Sequence, residues 1–107
     1  MGLSFKENCS DLRNSQVYNI YKILKNKNKI DLFDPLVSKS DVIKKYKISK
    51  KDKLKTNYYN LIIIAVGHNY FKKMGIKKIS SFLKKESSKK IIDVKGIFQT
   101  KHTIFKL

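Results

Sequence analysis

Six consecutive apolar residues, Leu61 to Val66, three of them isoleucine, interrupt a chain otherwise studded with lysine. The run lacks the alternation of a strand with one wet face, so a strand here must be covered on both faces, as in a parallel sheet clad in helices. It ends at Gly67-His68, where a polar loop begins. That loop lies at the carboxyl edge of such a sheet, where open α/β sheets bind their ligands.

Around this strand the pattern alternates. Gly2-Leu-Ser-Phe5 reads as the tail of a strand whose beginning is missing, since an apolar pair runs straight into a polar turn. Phe5 to Asn14 is a polar loop of both charge signs, with Asn14 or Ser15 placed to cap a helix. Val17, Ile20, Tyr21 and Leu24 fall at i, i+3, i+4 and i+7, one apolar stripe that packs a helix on the sheet. Ile30 to Phe33 is a short strand closed by Asp34-Pro35. Ser40 caps a second helix with Val42, Ile43 and Tyr46 inward, and the seven lysines from Lys44 to Lys55 make a solvated helix end and loop. After the central strand, Asn69 to Met74 is a short turn or helix start, Gly75 a break, and Ile76, Ile79, Phe82 and Leu83 the inner face of a third helix. Past a Glu86-Ser-Ser88 linker, Ile91-Ile92 leads through Asp93-Val-Lys-Gly96 into Ile97-Phe98, which reads as a last strand with a polar break, followed by a tail from Gln99 to Leu107 that docks or frays. The order β-α-β-α-β-α-β with right-handed crossovers predicts a small Rossmann-like three-layer α/β sandwich, a parallel sheet with helices on both faces and its first strand truncated. Residues 1–107 form a single domain, long enough for one core without staples.

The charge balance is unusual: 25 basic against 8 acidic side chains, a formal +17, so a polyanionic partner has to be weighed. Arg13 is the only arginine, however, and nucleic-acid readers rely on the arginine fork for guanine and phosphate. A general drift toward Lys, Ile and Asn accounts for the excess without a partner. A single cysteine, Cys9, excludes an internal disulfide and points to a reducing, cytoplasmic setting. Cys9, His68 and His102 are scattered, so no zinc-ligand spacing exists. No apolar run approaches the ~20 residues that span a bilayer. The four glycines, Gly2, Gly67, Gly75 and Gly96, form neither G-x-G-x-x-G nor a Walker loop, so the chain has no dinucleotide or triphosphate cradle of its own. No histidine lies near Cys9 in sequence, and His68 at a strand end reads as a hydrogen-bonded structural residue; no catalytic residue is assigned. The positive signal is the loop after the first strand, where Lys6 and Arg13 bracket a helix amino terminus that favours a phosphate.

Gly2-Leu-Ser-Phe-Lys-Glu-Asn-Cys-Ser-Asp-Leu-Arg-Asn-Ser15 closely resembles the signature opening the third domain of nucleotide-sugar 6-dehydrogenases, in the branch acting on UDP-N-acetylhexosamines. Asp31-Leu-Phe-Asp-Pro35, the Leu61 to Val66 strand with Gly-His-Asn-Tyr-Phe71, and Asp93-Val-Lys-Gly96 follow in the family's order. These enzymes oxidise a sugar 6-hydroxyl to a carboxylate with NAD. The resemblance implies a UDP-sugar-binding domain in which Phe5 and Lys6 contact the nucleotide sugar, Lys6 facing its diphosphate. It further implies that Lys95 belongs to the segment completing the sugar site, and that Arg13 reaches toward NAD held by another domain. The family's NAD loop, catalytic cysteine and accompanying lysine belong to parts this sequence does not contain; Cys9 is not that nucleophile. The expectation is therefore UDP-sugar binding without dehydrogenase activity alone, NAD entering only with a complete enzyme, and the missing dehydrogenase domains or a homodimer as partners. The competing readings are a basic nucleic-acid-binding protein, using the Lys44 to Lys55 run and Lys77 to Lys85, and a non-functional remnant.

Overall fold

The computed structural model describes residues 1–85 and 90–98 and the backbone of 105–106. Its sheet forms where the sequence is most apolar. β1 (Ile62–Ile64) pairs in parallel with β2 (Ile91–Asp93), and β2 in parallel with β3 (Phe105–Lys106), with Ile62 opposite Ile91 and Ile92 opposite Phe105. On the other flank of β1 lies the start of the chain. The Met1 nitrogen donates to the Ile63 carbonyl at 2.5 Å and the Ala65 N–H to the Met1 carbonyl at 2.9 Å, the spacing of a parallel pair. The Gly2 N–H then donates outward to the Phe33 carbonyl at 2.8 Å. The expected truncated first strand is thus a stub of one or two residues between β1 and the Phe33 segment. Gly2 adopts φ +92°, and a Cβ there would stand 2.7 Å from Val66, so only glycine passes.

Side chains alternate on β1. Ile62 and Ile64 face a core of Phe33, Phe71, Ile79, Phe82, Leu83 and Ile91, roofed by the short helices α3 (Asn69–Met74) and α4 (Ile76–Ser80). Gly75, at φ +86°, separates the two, which confirms it as a break. A second cluster gathers Leu3, Leu12, Val37 and Val42 beneath α2 (Lys39–Tyr46), with Val17, Tyr46 and Ile48 at its margin. The whole is a small α/β fold of the Rossmann-like kind.

Local expectations shift where a hydrogen bond outcompetes periodicity. α2 is capped by Ser38, whose Oγ accepts from the Asp41 N–H at 3.1 Å, and not by Ser40. Its inner stripe is Val42 and Tyr46, so Ile43, expected inward, is exposed. α1 (Gln16–Leu24) is capped by Ser15 as anticipated but buries none of its residues and does not pack on the sheet as expected. Tyr18 stacks on Tyr46 with ring centroids 4.1 Å apart, which turns the helix so that Val17, Tyr18, Tyr21 and Leu24 are half-buried while Ile20 and Ile23 face solvent. The strand expected over Ile30 to Phe33 shrinks to a bridge between Phe33 and Lys51. The third helix stops at Ser80: the Asn57 N–H takes the Ser81 carbonyl and the N–H groups of Tyr58 and Tyr59 take that of Phe82, so Phe82 and Leu83 enter the core from a turn. Lys50, read as part of a wet loop, is buried. Of the strand expected over Ile91 to Phe98 only Ile91–Asp93 forms, because the buried Asp93 carboxylate accepts the N–H groups of Ile97 (3.1 Å) and Phe98 (2.8 Å) and folds 94–98 into a loop; β3 follows it in the tail. The expected Glu86 to Ser88 linker lies outside the described residues, as does the tail apart from the 105–106 backbone.

Candidate functional site

Two loops meet at the carboxyl edge of the sheet. The first, residues 4–15, leaves the stub and is tied down along its whole length. Asp34, fully buried, accepts the Leu3 N–H at 2.7 Å and the Ser4 N–H at 3.2 Å through one carboxylate oxygen, and the Leu36 N–H at 2.9 Å through the other. The Phe5 N–H closes the loop on the Asp11 carbonyl at 2.6 Å, the Ser15 Oγ donates to the Leu3 carbonyl at 2.6 Å, and the Tyr46 hydroxyl donates to the Leu12 carbonyl. Phe5 to Asn8 arches outward, so Phe5 is 56% exposed and Lys6 open to solvent. The second loop, 94–98, is shaped by Asp93 and rests on Gly67: a Cβ on Gly67 would meet Ile97 at 2.9 Å and the Lys95 Cβ at 3.6 Å. Lys95 is exposed.

His68 joins the two. It follows Gly67 directly and is fully buried beside Phe71, with ring centroids 5.4 Å apart. Its Nε2 lies 2.9 Å from Asp34 Oδ2 and 3.3 Å from Ser4 Oγ, and its Nδ1 accepts the Asn8 N–H at 2.9 Å. A backbone N–H is only a donor, so Nδ1 is unprotonated and the proton sits on Nε2, facing the Asp34 carboxylate. The contact is a charge-assisted hydrogen bond of a neutral imidazole. Although serine, histidine and aspartate are all present, they do not form a catalytic relay: the serine and the carboxylate share one ring nitrogen, and the other is occupied by backbone.

The structure thus brings Phe5, Lys6 and Lys95 to one edge, around Gly67 and His68. Among the described residues Lys6 and Lys95 have no ion-pair partner, and both are available to an anion. Arg13 lies at the far end of the 4–15 loop, on a separate open cleft of about 370 Å³ lined by Ser10, Asp11, Leu12, Asp41, Lys44 and Lys45. Its side chain is 80% exposed and gripped by Asp11, with N–O distances of 2.8 and 3.1 Å. The hydrogen bonds from Arg13 hold the Asp11 carboxyl down to about 2 and raise Arg13 in turn. Among the described residues its remaining guanidinium N–H groups have no acceptor, which leaves them to a second anion. Cys9 is a half-buried free thiol. Sequence reasoning placed His68 as a hydrogen-bonded structural residue, which it is, but missed its partners Asp34 and Asn8. The only signals for these were an acid before Pro35 and an asparagine in a loop.

A parallel sheet with two loops bearing unpaired cations at its carboxyl edge defines an α/β ligand-binding domain of the Rossmann-like class. Comparison gives the particular family: the chain belongs to the UDP-glucose/GDP-mannose dehydrogenase family, whose UDP binding domain matches residues 1–100. It is 42% identical over 83 residues to the UDP-N-acetyl-D-glucosamine 6-dehydrogenase of Salmonella typhi, covering 77% of this chain and 20% of that protein. Likewise it is 44% identical over 87 residues to the UDP-N-acetyl-D-glucosamine 6-dehydrogenase of Pseudomonas aeruginosa, covering 80% and 21%. The chain therefore spans about a fifth of the length of these relatives. No solved structure gives a significant match. Among the described residues no helix is long and apolar enough to cross a membrane.

Proposed function

We propose that this chain is the UDP-sugar-binding module of a UDP-N-acetylhexosamine 6-dehydrogenase, inactive as a dehydrogenase by itself. The observation that carries the reading is the arch Phe5 to Asn8, clamped at both ends yet presenting an exposed aromatic ring and an unpaired lysine at the sheet's carboxyl edge. Phe5 offers an apolar face to the nucleotide sugar, Lys6 a charge to its diphosphate, and Lys95 closes the site from the 94–98 loop. The relatives' specificity supports an N-acetylated hexosamine. Arg13, with free N–H donors beyond its pair with Asp11, is the one residue we assign toward NAD. The described residues contain no glycine-rich cradle, so NAD would be held by the remaining dehydrogenase domains. It would supply the hydride acceptor there, while this chain binds and orients the nucleotide sugar.

Titration calorimetry with UDP and with the UDP-sugar tests the reading. Binding should weaken about tenfold or more in Lys6→Ala, as expected for loss of a charge-assisted hydrogen bond, with the melting temperature unchanged because Lys6 is exposed. Absence of heat at millimolar ligand would sink autonomous binding. NADH formation above background from UDP-N-acetylhexosamine and NAD would sink the claim of inactivity.

A further inference from the structure

One imidazole touches both ends of the arch that carries the proposed ligand contacts. His68 Nε2 faces Ser4 Oγ at 3.3 Å on the inner side of Phe5-Lys6-Glu7, and its Nδ1 accepts the Asn8 N–H at 2.9 Å on the outer side. Ser4 donates its own hydroxyl proton to the Lys6 carbonyl at 3.0 Å, so it turns a lone pair toward Nε2, whose single hydrogen lies between Ser4 and the closer Asp34 carboxylate. The outer end is held reciprocally, since the Asn69 N–H donates to Asn8 Oδ1 at 2.8 Å. Asn8 itself sits at φ 60°, a left-handed conformation that asparagine tolerates better than most side chains and that such contacts must hold. The ring cannot turn away: Asp34 fixes one nitrogen and Phe71 packs beside it.

We propose that His68 is a positioning residue for nucleotide-sugar binding, acting as a neutral, Nε2-protonated clasp that sets the arch and so aims Phe5 and Lys6 at the ligand. It touches no ligand itself. The proposal rests on the binding reading above, and it assigns the two nitrogens separate tasks. Nε2–H toward Asp34 stabilises the core, whereas Nδ1 toward Asn8 shapes the site.

Two variants divide these tasks. His68→Gln places an amide N–H near Nε2 and keeps a donor for Asp34, but removes the acceptor for Asn8. His68→Asn places an amide oxygen near Nδ1 and keeps that acceptor, but falls short of Asp34. UDP affinity should drop roughly tenfold in His68→Gln, the scale of one lost hydrogen bond, and distinctly less in His68→Asn, while thermal stability should fall more in His68→Asn. Amide hydrogen exchange at Asn8 should quicken by a similar factor in His68→Gln, with or without UDP. In the unmodified chain, imidazole nitrogen NMR should show an unprotonated Nδ1 and a proton on Nε2. Equal affinity losses in the two variants, unchanged Asn8 exchange in His68→Gln, or a proton on Nδ1 would each overturn the assignment. If the unmodified chain takes no UDP, the binding reading fails, while the exchange and nitrogen spectra still decide whether the clasp exists.

Discussion

In a polypeptide that begins at Met1, the amino group is enclosed between β1 and the Phe33 segment, where its charged form is poorly solvated. The Met1 side chain is half-exposed, but the nitrogen is enclosed; burial lowers its pKa from 8.0 to about 6, partly offset by the nearby Asp34 carboxylate. A base whose folded pKa is depressed binds fewer protons folded than unfolded, so stability rises with pH across the gap. Below about pH 6 the folded state carries a full positive charge in a poorly solvated slot, and above about pH 8 neither state is charged. Two units correspond to roughly 2–3 kcal/mol. For a domain of this size that is on the order of 10–20 °C in melting temperature. Urea unfolding followed by circular dichroism from pH 6 to pH 8 should show the gain. Acetylating the amino group converts it to an amide that keeps one N–H for the Ile63 carbonyl, and the pH-dependent gain should largely vanish. Identical profiles for the free and acetylated chains would refute the reasoning, because any other titrating group contributes equally to both.

Gly67→Ala should cost about 1–3 kcal/mol, the range for overpacking, since the new methyl meets Ile97 at 2.9 Å. It should also weaken UDP binding by displacing the 94–98 loop, and a melt together with a titration checks both. Phe71→Ala empties a fully buried position that packs on Phe33 and His68. It should destabilise the fold by about 3–5 kcal/mol, and a shift under 1 kcal/mol in denaturant unfolding would show that the α3 roof is not part of the core.

The parts legible in the sequence were those encoded by neighbours along the chain. The isoleucine run announced β1, Ser15 its helix and Gly75 its break, because cap chemistry and hydrophobic runs act over a few residues. What escaped were pairings across the fold. The 34 positions separating Asp34 from His68 conceal a buried pair; the polar break at 93–96 was legible, but not that Asp93 would hold the N–H groups four and five residues on and keep the strand from resuming. Helical periodicity placed Ile20 inward, but the Tyr18–Tyr46 stack rotates α1 away from that reading. Of the candidate site, Lys6 and Phe5 were put forward by charge and resemblance, whereas the contacts that hold their loop, Asp34 and His68, became visible only in three dimensions.

Every restraint that shapes the 4–15 loop from outside comes from later in the chain: Asp34, Tyr46, His68 and Asn69. During synthesis the loop emerges before these four partners and cannot be fixed by them until β1 and its exit at His68 have been made. Closing such long loops is slow relative to local structure. A chain arrested before residue 68 would display the Phe5 to Asn8 arch without its geometry, so this edge of the fold is set late although its residues come early.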